Sequence, residues 1–190
     1  MPIYRAVPKQ DHVEGQTKQR HAGRRLPANI PYLVDNLWEL ARPDGLPSRR
    51  HAVYASPTPE LALQNACAAG PERDNYLVCR LEFDAAPPMI QLSVADARLH
   101  GDVANLQREV NRLLGRRADD SLADKLALAP LFLPGIGKQE LRAAMDADPA
   151  LDALARAAAA QVTLWSDRAA ADGEFFFEIA PENTYRLFRI

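Results

Sequence analysis

The sequence predicts an α+β fold, and three observations carry that expectation. Strand-like stretches stand at both ends of the chain, helix-like stretches are mixed between them, and no regular βαβ alternation connects the two kinds. In chain order, Pro2 to Val7 reads as a short strand, with Ile3, Arg5 and Val7 on one face and Tyr4 and Ala6 on the other. Residues 8–28 hold Gln, Lys, Arg, His and Gly with almost no apolar period. A connection that long inside a domain is usually functional or mobile. Asn29 is a capping residue and Pro31 suits a first helical turn; Leu33, Val34, Leu37, Trp38 and Leu40 then make an apolar stripe that ends at Pro43. Turn chemistry from Arg42 to Arg50 leads into a strand from His51 to Ala55.

Ser56-Pro57-Thr58-Pro59-Glu60 is a strand-to-helix switch. Thr58 can cap, Pro59 fits the first helical position, and Glu60 suits the positive end of the helix dipole. The helix carries Leu61, Leu63, Ala66 and Ala69 and stops at Gly70. Tyr76 to Phe83 alternates as a strand, Pro87-Pro88 breaks the chain, and Met89 to Val94 is a further short strand. Val103, Leu106, Val110, Leu113 and Leu114 stand at helical spacing. Arg116, Arg117, Asp119 and Asp120 form a polar connection. Leu122 to Leu133 is apolar and ends at Pro134-Gly135, which fits a helix, and residues 138–160 read as two helices divided near Pro149. Val162 to Trp165, Glu174 to Ile179 and Thr184 to Ile190 read as strands, the last two joined by a turn at Pro181-Glu182-Asn183.

The length of 190 residues suits one ordinary domain, and nothing in the composition marks a boundary. Twenty-three basic and 25 acidic residues give a net charge of −2, which excludes a globally cationic nucleic-acid binder. No apolar run approaches the roughly 18 residues of a spanning helix, and Met1-Pro2-Ile3-Tyr4-Arg5 has no secretory pattern. Cys67 and Cys79 cannot build a disulfide framework and read as reduced, buried thiols. Gly135-Ile136-Gly137 is no dinucleotide fingerprint, and the chain has neither a phosphate-cradling GxxxxGK[ST] loop nor a GxSxG elbow. The four histidines are scattered, without HExxH or CxxC, so no zinc site is expected.

Three features remain. Arg5 lies inside the first strand. Tyr54-Ala55-Ser56-Pro57-Thr58 ends a strand in hydroxyl residues. Asp172-Gly173-Glu174 opens the apolar strand Phe175-Phe176-Phe177-Glu178-Ile179. Each has a plain explanation alone: an edge-strand Arg facing solvent, helix capping, and gatekeeper charges flanking an aggregation-prone strand. Strand alternation sets Glu174, Phe176 and Glu178 on one face and Phe175, Phe177 and Ile179 on the other. Residues 1–51 carry nine Lys or Arg against five acids. The polar loop is then either a solvated loop or a lid that brings Arg24 and Arg25 near an anion.

In that order, Tyr4-Arg5, Ser56-Pro57-Thr58 and Asp172-Gly173-Glu174 resemble the catalytic signature of the cholera-toxin-like ADP-ribosyltransferases, the Arg-Ser-Glu class. The match runs through Glu174-Phe-Phe-Phe-Glu-Ile-Ala-Pro-Glu-Asn-Thr-Tyr-Arg-Leu toward the end of the chain, and residues 85–160 carry none of it. Two positions depart from the family: Asp172 stands where Glu or Gln is usual, and Pro59 replaces a third hydroxyl.

The resemblance implies a single domain over 1–190, a split antiparallel β-sandwich with surrounding helices. It implies a mono-ADP-ribosyltransferase that uses NAD as substrate to modify a macromolecular target, a protein rather than a nucleic acid. Such a chain would be a bacterial toxin or effector. It would be cytoplasmic or delivered by a dedicated secretion system without a signal peptide, with an immunity protein or antitoxin as a further partner and no membrane association. Cleaving nicotinamide from NAD makes an oxocarbenium-like ribose, as in glycoside hydrolysis. Glu174 would stabilise that charge and accept from the ribose 2′-hydroxyl. Arg5 would bind pyrophosphate or ribose with its planar fork, and Ser56 would hold the carboxylate. Tyr54 and Thr58 would complete the cofactor site, Asp172 would face the acceptor, and Glu178 is the alternative carboxylate. Two other readings stay open: an NAD glycohydrolase on the same fold, and a non-catalytic interaction protein.

Overall fold

A computed structural model describes residues 1–19, 30–66, 70–115 and 121–190. Asn29, Cys67, Arg24, Arg25 and the Arg116 to Asp120 connection fall outside the described residues. The fold is α+β, with two antiparallel three-stranded sheets and six α-helices among the described residues. The chain divides into two compact units, one of Met1–Gly23, Gly45–Leu99 and Asp167–Ile190, the other of Arg24–Asp44 and His100–Ser166.

The first unit holds every described strand. Strands β1 (Tyr4–Pro8), β3 (Tyr76–Phe83) and β6 (Tyr185–Arg189) form one sheet in the order β1-β3-β6. Strands β2 (Val53–Ala55), β4 (Met89–Gln91) and β5 (Phe175–Phe177) form the other in the order β2-β5-β4. All four strand pairings are antiparallel. The period-2 alternation has the consequence expected of a half-buried strand. Ile3, Cys79, Leu81, Tyr185 and Leu187 from one sheet share a core with Val53, Ala55, Phe175, Phe177 and Ile179 from the other. Phe177 meets Phe83 edge-on, with ring centroids 4.8 Å apart, and Tyr185 at 6.1 Å. The first and last strands thus both supply core residues. Helix α2 (Pro59–Ala66) packs against β1 and β3.

Two backbone hydrogen bonds join the sheets at a corner: Tyr4 N–H donates to Ser56 O at 2.8 Å, and Ser56 N–H donates to Tyr4 O at 2.7 Å. Part of the expected loop after β1 is likewise tied down. Lys18 exchanges backbone hydrogen bonds with Tyr185 at 2.8 and 3.0 Å, and Gly15 N–H donates to Leu187 O.

The second unit is helical: α1 (Tyr32–Ala41), α3 (Asp102–Leu114), α4 (Leu122–Leu128), α5 (Lys138–Ala147) and α6 (Pro149–Ala159). Leu33, Val34, Leu37 and Trp38 of α1 are buried, as are Leu106 and Val110 of α3 and Leu151, Leu154 and Ala158 of α6. The expected break near Pro149 is there, with Asp148 capping α6 by accepting from the N–H groups of Ala150 and Leu151. The apolar run from Leu122 is a short α-helix followed by a 3₁₀ turn at Ala129–Phe132.

One expected strand does not form. Val162 to Trp165 is a turn, because its backbone donors are drawn to a carboxylate rather than to a neighbouring strand. Thr163 N–H and Leu164 N–H both donate to Asp102 Oδ2 at 3.1 Å, and Thr163 Oγ1 donates to Asp102 Oδ1 at 2.7 Å. Trp38 Nε1–H donates to the same carboxylate at 2.8 Å.

Candidate functional site

The site grows from the sheet corner. In the β2–β5 ladder Val53 faces Phe177, Tyr54 faces Phe176 and Ala55 faces Phe175. Ser56 directly follows β2 and Glu174 directly precedes β5, so the two flank the Ala55–Phe175 pair at one end of the ladder. Tyr4 is already paired with Ser56 from β1, and Leu92 N–H donates to Glu174 O at 2.9 Å. At that end of the ladder Ser56 is bonded to β1, and Glu174 is bonded to the segment that follows β4, its own N–H donating to Val94 O at 2.8 Å. Alternation puts Phe175, Phe177 and Ile179 in the core, and Glu174, Phe176 and Glu178 along the opposite face. The core side of this alternation, Phe175, Phe177 and Ile179, is the one expected from the sequence.

The approach to Glu174 is tightly built. A Cβ on Gly173 would stand 1.9 Å from Leu92 O and 3.0 Å from Ala170 O, so only glycine lets this segment lie against its neighbour. Asp172, one residue earlier, is exposed on a turn. The Glu174 side chain is 8% exposed, and Oε2 accepts from Ala97 N–H at 3.1 Å. Burial drives its carboxyl up to about 7. Arg49, the Ala97 N–H and Arg98 pull the other way, and Asp96 adds to the rise. Asp96 in turn accepts from Arg98 Nε at 2.6 Å, which holds that guanidinium at the 96–98 turn.

Ser56 is buried. Its hydroxyl accepts from Asn65 Nδ2 at 3.3 Å, and the same amide donates to Ala95 O at 2.7 Å. The Ser56 hydroxyl is thus engaged by α2. Thr58 Oγ1 accepts from Leu61 N–H at 3.2 Å, which is helix capping. Tyr54 lies on the Glu174 face, tilted against Phe176 with ring centroids 6.1 Å apart, and its hydroxyl donates to Arg49 O at 2.7 Å. Glu178 Oε2 accepts from Ser48 N–H at 2.9 Å.

Arg5 is placed differently. Its partner in the ladder is Cys79, and its row is the core-facing row of Ile3 and Val7. Arg5 Nη1 donates to Tyr54 O at 2.8 Å, tying β1 to β2 beside the corner. Its charge also reaches the core phenol of Tyr185, lowering a pKa that burial raises. Tyr4, Tyr54, Ser56 and Glu174 therefore lie at or next to one end of the β2–β5 ladder. Arg5 joins them through a backbone carbonyl from the other row.

Sequence reasoning missed Arg49, Asn65 and the 95–98 turn. Arg49 is buried, and its guanidinium stands 5.2 Å over the Tyr54 ring and 5.5 Å over the Phe176 ring. Its signal was a basic pair, Arg49-Arg50, set directly before an apolar strand. Asn65 follows Gln64 on α2, and nothing local separates the two polar residues by role. The 95–98 turn meets Glu174 only through folding, and no local pattern marks it.

Cys79 is buried and unbridged, and burial raises its thiol pKa. Its sulfur is 3.8 Å from His12 Nδ1. Among the described residues no helix is long and apolar enough to cross a membrane. No protein-family model matches the chain, and neither a curated protein nor a solved structure matches it.

Proposed function

We propose that this chain is an NAD-consuming mono-ADP-ribosyltransferase of the Arg-Ser-Glu type, acting on a macromolecular target as a toxin or effector, and that its two sheets are a version of that enzyme fold. The observation that carries this reading is the placing of Ser56 and Glu174 at the same end of the β2–β5 ladder, beside the β1 corner formed by Tyr4 and Arg5. A carboxylate at a strand start, with a serine at the end of the adjoining strand, is the arrangement the resemblance implies. The positive charge that grows on the ribose as nicotinamide leaves needs a fixed negative partner in a dry setting. Glu174 is nearly enclosed, so its charge is weakly screened. Its carboxyl, near 7, is balanced between forms at neutral pH.

In this reading Glu174 faces the ribose and Ser56 limits its motion from the adjoining strand. The rings of Tyr54 and Phe176 provide an apolar wall. Asp172, exposed two residues before Glu174, faces the acceptor. Arg5 fixes the corner through Tyr54 O and is the β1 cation the resemblance assigns to the dinucleotide.

The test is nicotinamide release and label transfer from biotin-tagged NAD, with and without a cell extract as acceptor. Glu174→Gln keeps the shape and removes the charge, so both signals should fall by at least ~10²-fold, as for loss of an electrostatic contribution of a few kcal/mol. Free ADP-ribose formed at full rate without any acceptor would make the chain a glycohydrolase. No nicotinamide release under any condition would end the enzyme reading.

A further inference from the structure

The face that carries Glu174 also carries a cation that the resemblance does not assign. Arg49 precedes β2, is 9% exposed, and lies over Tyr54 and Phe176, whose side chains share the Glu174 face. A guanidinium over two ring faces is held by the negative potential of the rings. Tyr54 closes the arrangement from the other side, its hydroxyl donating to Arg49 O at 2.7 Å. Phe176 is two residues from Glu174 on the same strand face, so the ring that seats Arg49 is the neighbour of the carboxylate. Arg5, by contrast, belongs to the core-facing row.

We propose that Arg49 is a positioning residue for the reaction inferred above, a fixed positive charge that the Tyr54–Phe176 shelf seats beside the strand face of Glu174. This rests on the transferase reading for its purpose, while the physical claim about Arg49 and Glu174 stands on the geometry. Burial alone would keep the carboxyl protonated at neutral pH, where it could not stabilise a cationic ribosyl centre. Of the influences that oppose burial at Glu174, Arg49 is the largest; the Ala97 N–H and Arg98 assist, and Asp96 works against them. Ser56 and Asn65 are the neutral polar neighbours, and Asp172 is exposed two residues upstream. Arg98 is already paired with Asp96, so its charge is partly compensated. Arg49 is the cation whose seat is built from the same strand pair as the carboxylate.

The experiment follows the Glu174 carboxyl by NMR in ¹³C-glutamate-labelled protein, assigned by the signal lost in Glu174→Gln. It is repeated in Arg49→Met and Arg49→Lys. Arg49→Met keeps the length and removes the charge, so the Glu174 midpoint should rise by about one pH unit or more. Arg49→Lys keeps a charge but loses the planar stack, and should give a smaller rise. NAD cleavage should shift the acidic limb of its pH profile upward by the same amount, with the rate at high pH largely retained. A residue that merely supports the fold would lower thermal stability and leave the midpoint in place. An unmoved midpoint in folded Arg49→Met overturns the proposal. If that variant fails to fold, an unmoved midpoint in Arg49→Lys, together with an unchanged pH profile, overturns it as well. If the wild-type chain cleaves no NAD, the transferase reading fails, while the carboxyl titration still decides whether Arg49 governs Glu174.

Discussion

Glu174 links the site to the stability of the first unit. Its carboxyl is raised from 4.5 to about 7 by burial, so the folded chain holds a proton that the unfolded chain releases between those two values. The unfolded state then binds fewer protons, and stability falls as pH climbs from about 4.5 to about 7. Below that window both states are protonated and the effect vanishes; above it the loss is complete, on the order of 3 kcal/mol. Glu174→Gln carries no such titration. Its urea midpoint should gain on the wild type between about pH 4.5 and about pH 7 and level off above that, measured at equal ionic strength. A difference that does not change with pH would mean that Glu174 does not titrate near neutrality. The same variant should lose NAD cleavage, so a gain in stability and a loss of activity would come from one atom change, the exchange of function against stability common at active sites.

At the level of elements, the sequence was most legible where the apolar period was strong. The β3 boundaries, the split at Pro149, the core row of Phe175, Phe177 and Ile179, and the terminal strands followed from alternation and helix-breaking residues. The ladder end shared by Ser56 and Glu174 was legible only in part. Period 2 sorts residues within a strand, but the register between β2 and β5 depends on partners more than a hundred residues apart. That is also why Arg5 could be set in a row of Ile3 and Val7 without revealing which carbonyl its guanidinium would reach. Val162 to Trp165 misled for a different reason. Its residues favour a strand, but Asp102 offers a buried carboxylate to the Thr163 and Leu164 N–H groups, and a charged acceptor outbids a ladder partner. Asp102 therefore organises α1, α3 and the segment after α6 together. Asp102→Ala would leave the Trp38 indole and the Thr163 and Leu164 donors without their acceptor, at a cost of about 3 kcal/mol or more. Chemical denaturation with Trp fluorescence checks this, since Trp38 reports from within the network. A loss below about 1 kcal/mol would show that water or other acceptors replace the carboxylate.

At the scale of the whole molecule, the first unit is assembled from three separate stretches of chain, and each sheet needs strands from distant ones. The β1-β3-β6 sheet has β6 at one end, and a bare edge strand is a template for pairing with another molecule. Here that edge is occupied. Lys18 exchanges two backbone hydrogen bonds with Tyr185, Gly15 N–H donates to Leu187 O, and the Glu14 carboxylate accepts from Arg189 N–H. His12 donates toward Glu14 at 2.8 Å, and this bond, with the one from Arg189, holds the Glu14 carboxyl below its usual range. The segment after β1 thus fills, with main-chain groups of its own, edge positions that a second copy would otherwise take. Lys18→Pro removes the donor to Tyr185 O without touching the core. In sedimentation velocity this variant should form concentration-dependent oligomers and bind thioflavin-type dyes on ageing, while the wild-type chain stays at one size. Equal behaviour of the two would mean that the β6 edge is protected by something other than this strap.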